Sequence, residues 1–169
     1  MTDFTFSFCE TDEDFAQFGL FFLAHRRDLH PSYATIYAVT ALYSYIADGR
    51  ILQAKLADGS IAGAVAYFHG TPEQDYEDRQ TVLLDLAIAD RSLRGSRLFL
   101  SGLAELAEHL AAHHPEVEEV HIVTLAENTY LRRLYGKFAQ AGPEIEGVLG
   151  REVRYLVKIS ELRGFLSKF

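Results

Sequence analysis

The chain has 169 residues, 49% hydrophobic and 24% charged, a balance that points to one soluble globular domain over 1–169. No apolar run approaches the ~20 residues of a membrane helix, and the acidic start MTDFTFSFCETDED lacks the order of a signal peptide. The single cysteine, Cys9, cannot form an internal disulfide, so a reducing, cytoplasmic setting with no membrane partner is expected. The formal net charge of −8 argues against non-specific nucleic-acid binding, which rewards clustered Lys and Arg. It favours a cationic or amine-bearing partner.

Residues 4–8 alternate strictly and predict a half-buried strand. Thr11 or Asp12 then stands at an N-cap position, and Phe15, Phe18 and Phe22 carry a helix to about Arg27. After Pro31-Ser32, the stripe Ile36, Val39, Tyr43, Ile46 predicts a second helix ended by Asp48-Gly49. Residues 51–57 and 61–68 read as strands joined by Asp58-Gly59-Ser60, a hairpin signal. The polar stretch 70–80 is a loop, and 81–89 is an almost continuous apolar strand, as expected of a central one. Phe99, Leu103, Leu106 and Leu110 give an amphipathic helix to about His113. A strand over 117–125 follows, then a short helix with Leu131, Leu134, Tyr135 and Phe138 on one face. Two strands near 144–149 and 152–159 turn at Gly150, and an amphipathic tail closes the chain.

The order β-α-α-β-β-β-α-β-α-β-β places one right-handed crossover over 81–125, with a parallel pair. The expected fold class is α/β (α+β): a mixed, mostly antiparallel sheet with one central parallel pair and helices on both faces. The early hairpin and the two closing strands disfavour a fully parallel nucleotide-binding fold.

In this acidic chain, Arg91, Arg94 and Arg97 form a local basic cluster where strand 81–89 enters the next helix. Such a loop exposes backbone N–H groups at the positive end of a helix dipole and suits an anion. Gly95 lets backbone approach a ligand, Ser96 can cap or donate, and the arginines add forked donors. A capped helix with solvated arginines explains the same residues equally well.

The run Arg91-Ser-Leu-Arg94-Gly95-Ser96-Arg97-Leu-Phe99 resembles the cofactor loop Q/R-x-x-G-x-G/A of the GNAT acetyltransferases, which holds the pyrophosphate of acetyl-CoA. Arg94-Gly95 matches its opening; Arg97 and Phe99 stand where the motif has small residues. The segment Glu127-Asn128-Thr-Tyr-Leu-Arg-Arg-Leu134-Tyr135-Gly-Lys137-Phe138 is similar to the family's Asn-x5-Leu-Tyr-x-Lys-x-Gly-Phe, although Phe138 follows Lys137 directly.

The resemblance implies acyl transfer from acetyl-CoA, or another acyl-CoA, to a primary amine of a small molecule or protein. It implies Asn128 beside the pantetheine arm and Tyr135 as the acid that protonates the leaving thiolate. A phenol with a pKa near ~10 suits that task, while a core position beside Leu131 and Phe138 is the plainer reading. Backbone N–H groups of Leu86-Ala87-Ile88 would hold the thioester carbonyl and its oxyanion. Asp85, a charge inside an apolar strand, leads as general base, with solvent or an arginine as its plainer partner. Glu127 follows, with helix capping its plainer role. Tyr33 and Tyr37, near His25, Asp28 and His30, would line the acceptor side; hinge packing explains most of that cluster. A catalytically weak or silent GNAT-like module that binds an acyl-CoA or a protein remains the alternative.

His109 and His113 form an i, i+4 pair without an evident third ligand, beside His114 at a helix C-terminus, so no metal is expected. Cys9 reads as a buried small hydrophobe. A homodimer is possible, with the apolar segment 153–169 as its interface.

Overall fold

A computed structural model describes residues 3–93 and 97–169. Arg94, Gly95 and Ser96 of the expected cofactor loop lie outside the described residues. The elements run β1 (Thr5–Phe8), α1 (Asp12–Leu29), α2 (Thr35–Ala47), β2 (Arg50–Lys55), β3 (Ile61–His69), β4 (Thr81–Ala89), α3 (Leu98–His113), β5 (Glu119–Leu125), α4 (Thr129–Tyr135), β6 (Gln140–Glu146), β7 (Arg151–Lys158) and α5 (Ile159–Leu166). Short 3-10 turns occupy Pro72–Gln74 and Arg91–Leu93. The strands form one sheet in the order β1-β2-β3-β4-β5-β7-β6. Only β4 and β5 pair in parallel among the ladders β1–β2, β2–β3, β4–β5, β5–β7 and β6–β7. This is the mixed sheet the sequence predicts. Among the described residues no helix is long and apolar enough to cross a membrane.

The chain clusters into two compact units, Met1–Tyr67 with Ala87–Gly102, and Phe68–Leu86 with Leu103–Phe169. In the first, Thr11 starts α1 with a capping box. Its hydroxyl accepts from the Asp14 N–H and the Asp14 carboxylate accepts from the Thr11 N–H, which satisfies two orphan donors of the first turn. Phe18, Phe21 and Phe22 are buried, with Phe22 packed edge-on to Tyr33 and stacked on Tyr45. A Cβ on Gly19 would lie 3.1 Å from Leu42 Cδ2, so α1 and α2 approach closely there. The predicted stripe of α2 faces the other way: Ile36, Val39, Tyr43 and Ile46 are all exposed, while Ala38 and Tyr45 are buried. The β2–β3 hairpin turns at Asp58-Gly59-Ser60, where the Asp58 carboxylate accepts from the Ser60 N–H and hydroxyl. Cys9 is buried, with the Gln53 amide donating to its sulfur.

In the second unit, Val82, Leu84, Leu110, Val120, Ile122 and Tyr135 are almost wholly buried. The loop after β3 is held by the Asp78 carboxylate, which accepts from the Thr71 N–H (2.6 Å) and hydroxyl (2.7 Å). Strand β6 begins at Gln140, four residues earlier than expected. A register shift between Ala141 and Glu144 accommodates Gly142-Pro143, which the sheet tolerates because β6 is its edge. In the closing segment Val153, Tyr155, Val157, Leu162 and Leu166 are buried, whereas Leu156 and Phe169 are exposed. Part of the segment 153–169 therefore serves this unit's own core.

Candidate active site

The β4–β5 ladder is short. It pairs Thr81 with Glu119, Val82 with Val120, Leu83 with His121 and Leu84 with Ile122, although β4 continues to Ala89 and β5 to Leu125. Strand β5 stays paired with β7 along its whole length, from Glu119–Lys158 to Leu125–Glu152. The ladder thus opens at Asp85 and Leu86, opposite Val123 and Thr124. Where a ladder opens, main-chain N–H and C=O groups turn to a ligand or water for their hydrogen bonds.

Asp85 is the one residue of β4 that is not fully buried. Glu152, which sequence reasoning passed over, lies within its electrostatic reach. Burial pushes the Glu152 carboxyl above the usual range and the Asp85 charge adds to this, while Arg154 opposes it. Gly147 leaves the space for that carboxylate, since a Cβ there would lie 2.5 Å from Glu152 Oε1. A part-buried carboxyl raised by burial and by a neighbouring charge is a candidate proton acceptor. Only the β5–β7 register reveals it, because Glu152 and Asp85 are distant in sequence.

In the first unit, the chain leaves Ala89 through Asp90, whose carboxylate accepts from the Ser92 N–H and hydroxyl. The Arg97 carbonyl accepts from the Ser101 N–H (2.8 Å), which puts Arg97 at the N-terminal edge of α3 with its side chain exposed. No acidic residue occupies the first turn of α3, whereas α1 opens with Asp12, Glu13 and Asp14. A basic residue at a positive helix end is electrostatically unfavourable until an anion is present. Phe99 packs on an apolar cluster of Ala54, Ala62, Ala89 and Leu98. It helps line an open apolar pocket with Phe6, Val65, Ile88 and Gly102. Its ring is therefore accommodated by hydrophobic packing. Gly63 keeps β3 close to β4, as a Cβ there would lie 3.0 Å from the Ile88 carbonyl oxygen.

Asn128 is the N-cap of α4, its Oδ1 accepting from the Leu131 N–H at 3.1 Å. Capping thus falls to Asn128, and Glu127 is exposed beside it. Tyr135 is 1% exposed, packed edge-on to Phe138 and Tyr155. Burial holds its phenol far above the ordinary value, with Tyr130 adding to the effect. Asp85, Leu86, Glu127, Asn128 and Tyr135 fall in the second unit; Ala87, Ile88, Arg97, Tyr33 and Tyr37 fall in the first. Tyr33 is buried against Phe22, a packing position, and Tyr37 is 44% exposed on α2.

No protein-family profile matches the sequence, and no curated protein does. Solved structures do. A Desulfovibrio desulfuricans protein assigned to the GNAT acetyltransferases matches with a TM-score of 0.71 at 14% identity, over 93% of this chain and 99% of that one. The AAC(6')-Ib complex with paromomycin and acetyl-CoA matches at 0.70 and 19%, over 93% and 95%. The Vibrio cholerae spermidine N-acetyltransferase, solved with CoA and spermine, matches at 0.65 and 13%, over 94% and 97%. At these identities the likeness is one of fold.

Proposed function

We propose, from the GNAT acetyltransferase fold that this chain has, that it is an acyl-CoA-dependent N-acyltransferase. It moves an acetyl or other acyl group to a primary amine of a small molecule or protein. The observation that carries the reading is the β4–β5 ladder that opens at Asp85, because direct transfer needs main-chain donors turned toward a thioester. In this reading a backbone N–H of Leu86-Ala87-Ile88 binds the carbonyl oxygen and then the oxyanion. The amine nitrogen attacks the carbonyl carbon and gives its proton to a carboxylate. Collapse breaks the C–S bond, and the thiolate takes a proton from Tyr135.

Asp85 leads as the base, with Glu152 beside it. Burial and the Asp85 charge raise the proton affinity of Glu152, which makes it the candidate final proton holder. Glu127, exposed, is the outer alternative. The start of α3 with Arg94, Gly95, Ser96 and Arg97 would hold the pyrophosphate, and the Asn128 amide nitrogen the pantetheine arm. A cationic acceptor suits the net charge of −8 and would meet Tyr37 on α2. The cytoplasm is the compartment in this reading, supported by the unpaired Cys9. A homodimer would use the side chains still exposed in the closing hairpin, among them Ile145, Val148 and Leu156.

A silent acyl-CoA-binding module is the second reading. It is favoured by the near-complete burial of Tyr135 and by Arg97 in place of glycine. Calorimetric titration with acetyl-CoA, followed by thiol release with spermidine or kanamycin as acceptor, tests both. Micromolar binding with turnover supports the transferase, and binding without turnover selects the module. No heat and no thermal shift at millimolar acetyl-CoA removes both.

A further inference from the structure

The histidines at the end of α3 gain a partner that is remote in sequence. His69, the last residue of β3, lies with His114 and Glu116 so that one ligand atom of each falls within 4.8 Å of the others. His69 Nε2 is 3.4 Å from Glu116 Oε1, and His114 Nδ1 is 3.6 Å from the same oxygen. Both separations are long for a hydrogen bond. The first matches the edge of a tetrahedron, about 3.3–3.4 Å, whose corners stand 2.0–2.1 Å from a central zinc ion, and the second exceeds it slightly. We propose that His69, His114 and Glu116 form a binding site for a divalent first-row metal of the zinc class, with water as the fourth ligand.

Three observations support it besides distance. Two imidazoles and a carboxylate are the donor set that zinc accepts when one position stays open to water. The exposures, 11%, 29% and 47% for the side chains of His69, His114 and Glu116, leave a path for the ion on the Glu116 side. His114 also follows the last residue of α3 directly, where the free carbonyl end of the helix favours a cation.

Two features compete. His69 Nε2–H donates to the Arg79 carbonyl at 2.7 Å, and the Arg79 guanidinium donates to the His69 carbonyl. Ligation through Nε2 moves the ring proton to Nδ1 and gives up the first of these bonds, and the Arg79 carbonyl, 2.7 Å from that nitrogen, must turn away to admit the ion. Bound metal would pin the end of β3 to the turn after α3. Its role is structural.

The test uses the untagged full chain and zinc chloride alone. Titration should give one zinc per chain at micromolar affinity or tighter, with a rise in melting temperature of roughly 5 °C at a hundredfold excess over Kd. Glu116→Gln and His69→Gln should each weaken binding at least about tenfold. His113→Gln, an exposed neighbour, should leave it unchanged. Bound Co2+ should show the intense visible bands of four-coordination. Absence of binding at 100-fold the expected Kd overturns the proposal. So does zinc binding that survives both Glu116→Gln and His69→Gln, which would place the ion on other histidines. Glu116 is exposed, so its variant keeps the fold and decides the matter even if His69→Gln does not.

Discussion

Gly70 follows β3 at a φ of +93°, and a Cβ added there would lie 2.5 Å from the Tyr76 carbonyl oxygen and 2.7 Å from its Cα. The contact is with backbone, and that backbone is tied down. The Tyr76 N–H donates to the Thr71 carbonyl (2.9 Å), and the Gly70 N–H donates to the Thr81 carbonyl (2.8 Å). The Tyr76 ring also packs against Phe68. Gly70→Ala should therefore cost twice. A left-handed conformation costs a side-chain-bearing residue about 1–2 kcal/mol, and forcing a methyl into an occupied space about 1–3 kcal/mol more. We expect a loss of roughly 3 to 4 kcal/mol, read from urea unfolding followed by circular dichroism with an unchanged m-value. The melting temperature should fall by about 10 °C. Gly59→Ala is the control: its φ is +86° but nothing lies within 4 Å of the added Cβ, so it should cost only the conformational part, about 1–2 kcal/mol. Equal losses in the two variants, or a loss below about 1 kcal/mol for Gly70→Ala, would refute the contact argument.

Tyr135→Phe should lower the transfer rate about 100-fold while acetyl-CoA affinity stays within about twofold; stopped-flow thiol release and calorimetry check the two halves, and an unchanged rate removes Tyr135 as the acid. Glu152 has a raised pKa in the fold, mainly through burial, so the stability linked to its protonated form is present at acid pH and is lost as pH rises through the folded value. Glu152→Gln should accordingly be more stable than the parent at pH 7, with the gap shrinking toward pH 4. If Glu152 holds the amine proton, the same variant should also be slower, and denaturation and rate measurements across pH decide both. Burial pushes the Cys9 thiol up to about 11, so a disulfide reagent at pH 8 should label it slowly in the native protein and at once in denaturant. Thr11→Ala breaks the capping box of α1 and should cost about 1 kcal/mol in a thermal melt.

What the sequence discloses follows the range of the interactions involved. Thr11 and Asp14 are three residues apart, and their cap is readable because both partners sit in one turn. The crossover over 81–125 is readable because strand, helix and strand follow one another. The face that α2 buries is not readable, since Ala38, Leu42 and Tyr45 compete with Ile36, Val39, Tyr43 and Ile46 on a helix without a charged residue. Periodicity identifies the helix, and only the neighbouring α1, through Gly19, decides which side is covered. Pro143 hides the start of β6, because its missing N–H matters in a central strand and hardly at all at an edge. Glu152 and His69 meet Asp85 and His114 across dozens of residues, so tertiary register alone brings these groups together.

The shifted register of β6 also has a consequence for assembly. An open edge strand invites a second chain to extend the sheet, and proteins blunt it with proline, bulges and charge. Strand β6 carries all three: Pro143, the shift between Ala141 and Glu144, and Glu144 and Glu146 bound to Arg151. Two copies of this chain are thereby kept from zipping backbone to backbone at that edge. Association there must be written in side chains, residue by residue, and can be gained or lost by substitution without disturbing the sheet.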